Sequence, residues 1–578
     1  MTMSYKTYME EVEKRLHAMT KEELRQLIVH WADQCKPEGR QPFLDQLKKH
    51  TETMPPVNKD EEVIHALQEF CMRISDGDYL DEDEWQDDEY ENVTGDESWA
   101  EEMDSFLAKA RKQMLSQLFT IARQIYESIL TVLEADWQSS LLPGSSDPAS
   151  MLNEDLSEHI ALFFNAVYRT TVPNERPCML YQEIARFEQM SKSFDLKSIN
   201  EAMKEPLPEL DAFLPEWIRY LLEHPSVKGS RLIRNAVKMQ DDRTMAAFAR
   251  QHADRYPGVY IDWLDRLLER DSTDEAVTVA REALQAIYPE RSIRAQVGDG
   301  LAMIGKKQND MTMQLEGCSA AFFSSPLLSR LLSLFEVAWQ AGDFTIVSRQ
   351  TVKRLQALVN HTEKSNRTDD DKDLDQARAD QLLLSHALLL NGRYQDAMDV
   401  SQSFESLGWT YGANPKPVLL YFFVGVLTPR DRQQPFITEQ WQTVVQQAGS
   451  HLEPINFALY QNLSYLVIDH NPSDEQQKQV LLTWLLQETT ARIRAIVSNQ
   501  HRTSYHKAAM LLAVLVQTIS CIGRQQEGRD LISQIETRYS RFSAFRAEIR
   551  KACRLINYTP TKRTSVPGAN SELQHNAP

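Results

Sequence analysis

Apolar residues recur three or four positions apart along most of the chain, the spacing that turns one face of a helix toward a core. Leu24, Leu27, Ile28 and Trp31 set the first such face. It is opened by Thr20-Lys-Glu-Glu23, where hydroxyl and carboxylate stand at the spacing that satisfies two backbone amides of a first turn. Phe43, Leu44 and Leu47 begin a second short helix, and Met54-Pro-Pro56 ends the pair, because proline supplies no amide hydrogen to a continuing helix. A further helix is predicted over 63–72. Beyond a break, Phe106, Leu107, Met114, Leu118, Ile121, Ile125, Ile129 and Val132 predict one long helix over 103–135. Leu142-Pro-Gly-Ser-Ser-Asp-Pro148 reads as a loop. Helices are expected at 155–169 and 178–190, and the prolines of 206–215 separate them from a helix ending at Glu223. His224-Pro225 marks a boundary. Alternating runs of β-branched residues are hard to find, so the predicted class is all-α.

Beyond 225 the helices are expected in pairs, from a turn chemistry. Glycine ends a helix because it takes a left-handed conformation at little cost, an aromatic residue two positions on packs back, and a small residue starts the close contact of the next helix. Asn391-Gly392-Arg393-Tyr394-Gln395-Asp396-Ala397 carries all three parts, after the apolar stretch 382–390. Ala341-Gly342-Asp343-Phe344 repeats the first half, Gly523 to Gly528 supplies both glycines, and 263–283 adds Ala276. The spacing is irregular, and the pattern resembles degenerate tetratricopeptide (TPR-like) hairpins. The expected architecture is an N-terminal hairpin over 1–54, a short helix over 55–75, an acidic linker over 76–102, a helical domain over 103–224, a TPR-like α-solenoid over 225–559 and a disordered tail over 560–578. Within the array, the charged stretch 363–375 reads as a solvated loop.

The net charge of −20 is local. No Lys or Arg stands between Arg73 and Lys109, while 76–104 holds fifteen acids, three quarters of that charge. Density of this kind opposes a packed core, so disorder is expected, yet Tyr79, Trp85, Tyr90 and Trp99 are interleaved with the acids and become candidate contacts for a partner. The longest apolar run, 418–427, is about half of the ~20 residues of a membrane span, and the N-terminus has no apolar leader. No two of the six cysteines lie closer than 32 residues. That spacing fits free thiols in a reducing cytoplasm, not a disulfide frame or a zinc site.

Several short segments together resemble the helical regions of bacterial SWIM zinc-finger family proteins: Thr20 to Leu24, the stretch from Trp99 to Leu133, Trp263-Leu264 with Glu275-Ala276 and Ala283-Leu284, Ala321-Phe-Phe-Ser-Ser-Pro326, and Tyr539 to Glu548. The family's own module closes a zinc site with CxC and CxH. Neither pair exists here, so the resemblance implies the helical part without the metal, and no cofactor or metal is expected.

Candidate chemistry is sparse. Gly300-Leu-Ala-Met-Ile-Gly305-Lys306-Lys307 approaches a phosphate loop, but the hydroxyl that should follow the first lysine is Lys307, and the residues before it read as helix rather than strand. Asp81 to Trp85 lacks the Gly and Glu of a calcium loop, with Gln86 and Asn92 in their places, and Asp369 to Asp371 fails likewise. His501 and His506 stand five apart, off a common helical face. No catalytic constellation emerges, and the chain is expected not to be an enzyme. Arg538, Arg541, Arg546, Arg550 and Arg554 form a basic stripe in which the last three recur every fourth residue. It reads first as the polar outer face of a capping helix with Phe545 in the core, and otherwise as a surface for phosphates or an acidic peptide, with Tyr539, Phe542 and Phe545 available to stack on bases. The expected function is a non-catalytic scaffold for a protein partner, away from membranes. The alternative is a nucleic-acid-associated accessory protein using the basic face.

Overall fold

The computed structural model describes residues 59–80, 95–139, 141–144, 147–189, 194–225, 229–365, 377–407, 414–428, 435–448 and 454–556, with single positions elsewhere. Among these residues the protein is almost entirely helical, and the sole extended pairing is an isolated antiparallel bridge between Leu80 and Gly95. The expected 1–54 hairpin and 560–578 tail lie outside the described residues, apart from single helical positions such as Leu27, Ile28 and Trp31. None of the described helices is long and apolar enough to cross a membrane. The chain divides into two units, 1–251 and 252–578.

The first unit contains α1 (Lys59–Asp76), α2 (Ser98–Leu115), α3 (Phe119–Ser139), α4 (Leu156–Thr170), α5 (Arg176–Arg186), α6 (Leu196–Glu201), α7 (Leu210–Glu223), α8 (Gly229–Lys238) and α9 (Asp242–Gln251). Helices α1 and α2 both pack on α3, and α3 on α4. The region expected as one helix over 103–135 is therefore two, because Gln117 adopts φ +61° and turns the chain back. The break expected at His224-Pro225 lies between α7 and α8, which pack on one another. The Pro-punctuated stretch 206–215 is also part helix: α7 begins at Leu210 and carries Pro215 inside it.

The second unit begins with four helix pairs: α10 (Gly258–Glu269) with α11 (Thr273–Ala286), α12 (Arg294–Gln308) with α13 (Met311–Ser324), α14 (Leu328–Ala341) with α15 (Phe344–Ser365), and α16 (Gln381–Leu389) with α17 (Tyr394–Ser401). Each helix packs on the next in sequence, and α10 also reaches α12, as α14 reaches α16. One turn joins the members of every pair. Asp271, Asn309, Gly342 and Gly392 are left-handed. Each donates its amide to the carbonyl three residues back, and the following amide reaches five back, as in Gly342 to Trp339 (3.2 Å) and Asp343 to Ala338 (2.9 Å). The next helix starts two residues after the left-handed one. Gln117 and Gly523 close hairpins in the same way, and Gly77 and Gln500 end helices with the same two bonds. The small residue five positions after the turn is buried as expected at Ala276, Ala397 and Gly528, and Ala122 is buried at the same offset from Gln117.

The aromatic part of the expected turn holds once. Phe344 packs on Phe335 and Trp339 of its own hairpin, with centroids 5.2 and 4.6 Å away. Tyr394 instead meets Phe422 and Phe423 of α18 (Lys416–Leu427), and the residue two positions after Gly523 is Gln525. Helix α18 departs from serial pairing. It is apolar on all sides, so every side needs cover. Helices α16, α17, α19 (Pro435–Ala448), α20 (Pro454–His470), α21 (Glu475–Val497) and α22 (Tyr505–Cys521) all pack on it. The unit ends with α23 (Gln525–Arg538) and α24 (Ser543–Leu555), both on α22. Aspartates cap several helices, with Asp310, Asp380 and Asp474 accepting the amides of Met313, Leu383 and Gln477 at 2.9, 2.7 and 2.7 Å.

Candidate functional site

The arginine stripe sits on the last two helices. Helix α24 buries Phe545, Ile549, Ala552 and Cys553 against the rest of the unit, and Phe545 meets Tyr505 of α22 edge-on at 5.7 Å. The remaining surface of α24 is mostly polar, with Leu555 exposed at its end. Arg550 and Arg554 are exposed there and Arg546 is half-buried, while Arg538 and Arg541 are exposed at and after the end of α23. Lys551 is committed to Glu548, with Nζ 2.6 Å from Oε1. The five arginines make no ion pair with any described residue, and Arg546 Nε is buried without a hydrogen-bond acceptor among them. The rings that the alternative would stack on bases are mostly withdrawn: Phe545 is buried, as the capping-helix reading expects, Tyr539 is buried too and Phe542 is half-buried, the three meeting edge to face around Tyr539.

The aromatic residues of the acidic tract have two fates. Tyr79 and Trp99 belong to the core of the first unit, and their rings are closed to a partner. The Tyr79 hydroxyl donates to Glu102 (3.1 Å), Arg73 pairs with the same carboxylate, and Trp99 Nε1 donates to the Pro143 carbonyl (3.1 Å). Burial, with Glu102 beside it, pushes the Tyr79 phenol up to about 12. Trp85 and Tyr90 lie outside the described residues. The described parts of the tract are its two ends. Its two ends meet where Asp96 donates its amide to the Tyr79 carbonyl (2.8 Å), and α1 and α2 on either side pack into one unit.

The glycines that imitate a phosphate loop have a packing role. Residues 300–307 lie within α12, and a Cβ on Gly305 would come 2.7 Å from the Gln314 backbone nitrogen. Gly298 and Gly317 bring the same two helices backbone to backbone, with a Gly298 Cβ falling 2.5 Å from Ala321 N and 2.7 Å from Gly317 O. Amides bonded within a helix cannot cradle phosphate.

Four arrangements escaped the sequence because their members lie far apart in the chain. In the first unit the His159 ring touches the Tyr126 hydroxyl (3.0 Å), Glu154 (3.1 Å) and Arg111 (3.1 Å), and burial holds its pKa below the usual range. In the second, His386 Nδ1 lies 2.8 Å from the Tyr460 hydroxyl; burial drives this imidazole down to about 4 and the phenol up. The Lys416 ammonium is buried 2.9 Å from Glu488. A cavity of about 420 Å³ is lined in part by Thr428, Asp469, Lys478 and Arg524. Lys478 pairs with Glu475 at 2.7 Å and Arg524 donates to Gln479 at 2.8 Å, so these cations are engaged by the cavity's own surroundings. Among the described residues no three His, Cys, Asp or Glu side chains converge to hold a metal ion.

No protein-family model matches the chain, and no curated protein matches it either.

Proposed function

We propose that the chain is a non-catalytic binding scaffold, in which residues 252–556 act as a solenoid of TPR-like hairpins that presents an extended surface to a protein partner. The observation that carries this reading is the recurrence of one turn. Four successive pairs, closed at Asp271, Asn309, Gly342 and Gly392, use the same two hydrogen bonds and start the next helix at the same offset. A turn repeated in series brings each helix back against the one before it, and stacked hairpins of that kind leave a continuous surface rather than a closed pocket. The left-handed residues lie 38, 33 and 50 positions apart, an uneven period that supports a degenerate array. Helix α18, wrapped on all sides, marks where serial stacking gives way to a local core.

Affinity capture by the full chain, followed by chemical cross-linking and mapping of the linked residues, tests this reading. Cross-links from a captured protein are expected on 252–556. Cross-links confined to the first unit, or no stoichiometric partner at all, overturn it.

A further inference from the structure

The arginine stripe of the last hairpin assigns a ligand class to one end of the second unit. We propose that Arg546, Arg550 and Arg554, with Arg541 beside them, dock an extended acidic segment of a protein partner through carboxylates at alternate positions. This rests on the scaffold reading.

Charge is the first argument. These guanidinium groups have no counter-charge among the described residues, whereas neighbouring Lys551 is neutralised by Glu548. Guanidinium presents a rigid fork of donors that matches a carboxylate two bonds at a time, and it is weakly hydrated, so an unpaired row of it favours planar anions. Spacing is the second. Residues four apart on a helix rise about 6 Å, and alternate side chains of an extended strand stand about 6.7 Å apart on one side. Three arginines over two such steps therefore face three alternate acids with a mismatch of about an ångström, within the reach of flexible side chains. The stripe also ends beside Leu555, an apolar side chain 55% exposed, which suits an acidic peptide carrying an apolar residue at its end.

Two observations favour a peptide over a nucleic acid. Single-stranded nucleic acid is held by stacking as well as charge, and Tyr539 and Phe545 are buried under the stripe. The stripe is only about 12 Å long on a chain of net charge −20, so a long polyanion would extend over repulsive surface while a short segment would not.

Fluorescence anisotropy on the full chain at low salt gives the test. The probe is a labelled peptide with Glu at alternate positions, compared with its Gln counterpart and with oligothymidylate of equal charge. The parent chain should bind the Glu peptide and not the Gln peptide. The triple variant Arg546→Gln, Arg550→Gln, Arg554→Gln should bind it about tenfold or more weakly, at roughly a factor of three per exposed pair. A control that removes three exposed charges elsewhere in the unit, Lys306→Gln, Lys307→Gln and Lys353→Gln, should change affinity less than about twofold, and circular dichroism of both variants should match the parent. Binding unchanged in the arginine variant, absent in the parent, or stronger for the oligonucleotide overturns the proposal. Cross-links elsewhere on 252–556 would then leave the scaffold reading standing.

Discussion

Replacing Gly298 by alanine adds one methyl group where α12 and α13 touch backbone to backbone. The new Cβ would fall 2.5 Å from Ala321 N and 2.7 Å from Gly317 O, against 3.4–4 Å for ordinary contact. Neither atom can swing away, since both belong to the helix backbone. The helices must separate by about 1 Å, and a radial gap of that size forfeits between a quarter and a half of each contact along the interface. Overpacking of this kind costs about 1–3 kcal/mol, and backbone neighbours place it at the upper end. Alanine recovers about 1 kcal/mol as a better helix former than glycine, so the net loss is about 2 kcal/mol. Gly425 in α18 is the internal comparison. Its Cβ would meet only the tip of Ile468 at 3.4 Å, so the propensity gain dominates and stability holds or rises by up to about 1 kcal/mol. Urea unfolding of the full chain followed by circular dichroism should show opposite shifts in midpoint for the two variants. Adding Gly317→Ala to Gly298→Ala should cost less than the sum of the two, since the first substitution has already opened the interface. A Gly298→Ala protein as stable as Gly425→Ala would refute the close-packing argument.

Three further outcomes follow from the same structure. At the turns, Gly342→Ala and Gly523→Ala meet no neighbouring atom, so only backbone strain acts and each should lose about 1 kcal/mol in urea. Gln117→Gly and Gln500→Gly relieve the same strain and should hold or gain up to about 1 kcal/mol. For His386, held neutral with a pKa near 4 against 6.5 in the unfolded chain, the unfolded state binds the extra proton between those values. Stability is therefore complete above pH 6.5 and falls as pH drops toward 4, by up to about 3 kcal/mol. His386→Gln should flatten unfolding free energy against pH across that window, and an unchanged slope would contradict the burial argument. Lys416→Met strands the Glu488 carboxylate in the core and should cost about 3–5 kcal/mol in the same urea assay, while adding Glu488→Gln should restore part of it.

Helices with strong periodicity were legible from sequence, and so were the glycine turns at Gly342, Gly392 and Gly523. The turns at Asp271 and Asn309 use the same hydrogen bonds with residues that carry a weaker signal, and those at Gln117 and Gln500 with none, which at Gln117 is why 103–135 reads as a single helix. The left-handed preference of glycine is a preference, and packing of the flanking helices imposes the conformation where it is lacking. Tyr79 and Trp99 were hidden by averaging: the acids around them set the composition, while the two rings belong to a core that the acidic stretch only borders. The apolar run 418–427 announced burial, but which helices would cover it depends on contacts far along the chain. The His386–Tyr460 pair spans 74 residues and left no local pattern. Of the stripe, the charges and the buried Phe545 of a capping helix were legible and the burial of Tyr539 was not, because an aromatic beside arginines looks the same in sequence whether it faces solvent or core.

The most direct test of the scaffold proposal is hydrogen–deuterium exchange on the full chain, with and without a stoichiometric partner recovered by capture. Slowed exchange concentrated in the helices of 252–556, the last hairpin among them, is the expected result. Protection confined to the first unit, with 252–556 unchanged, would contradict it.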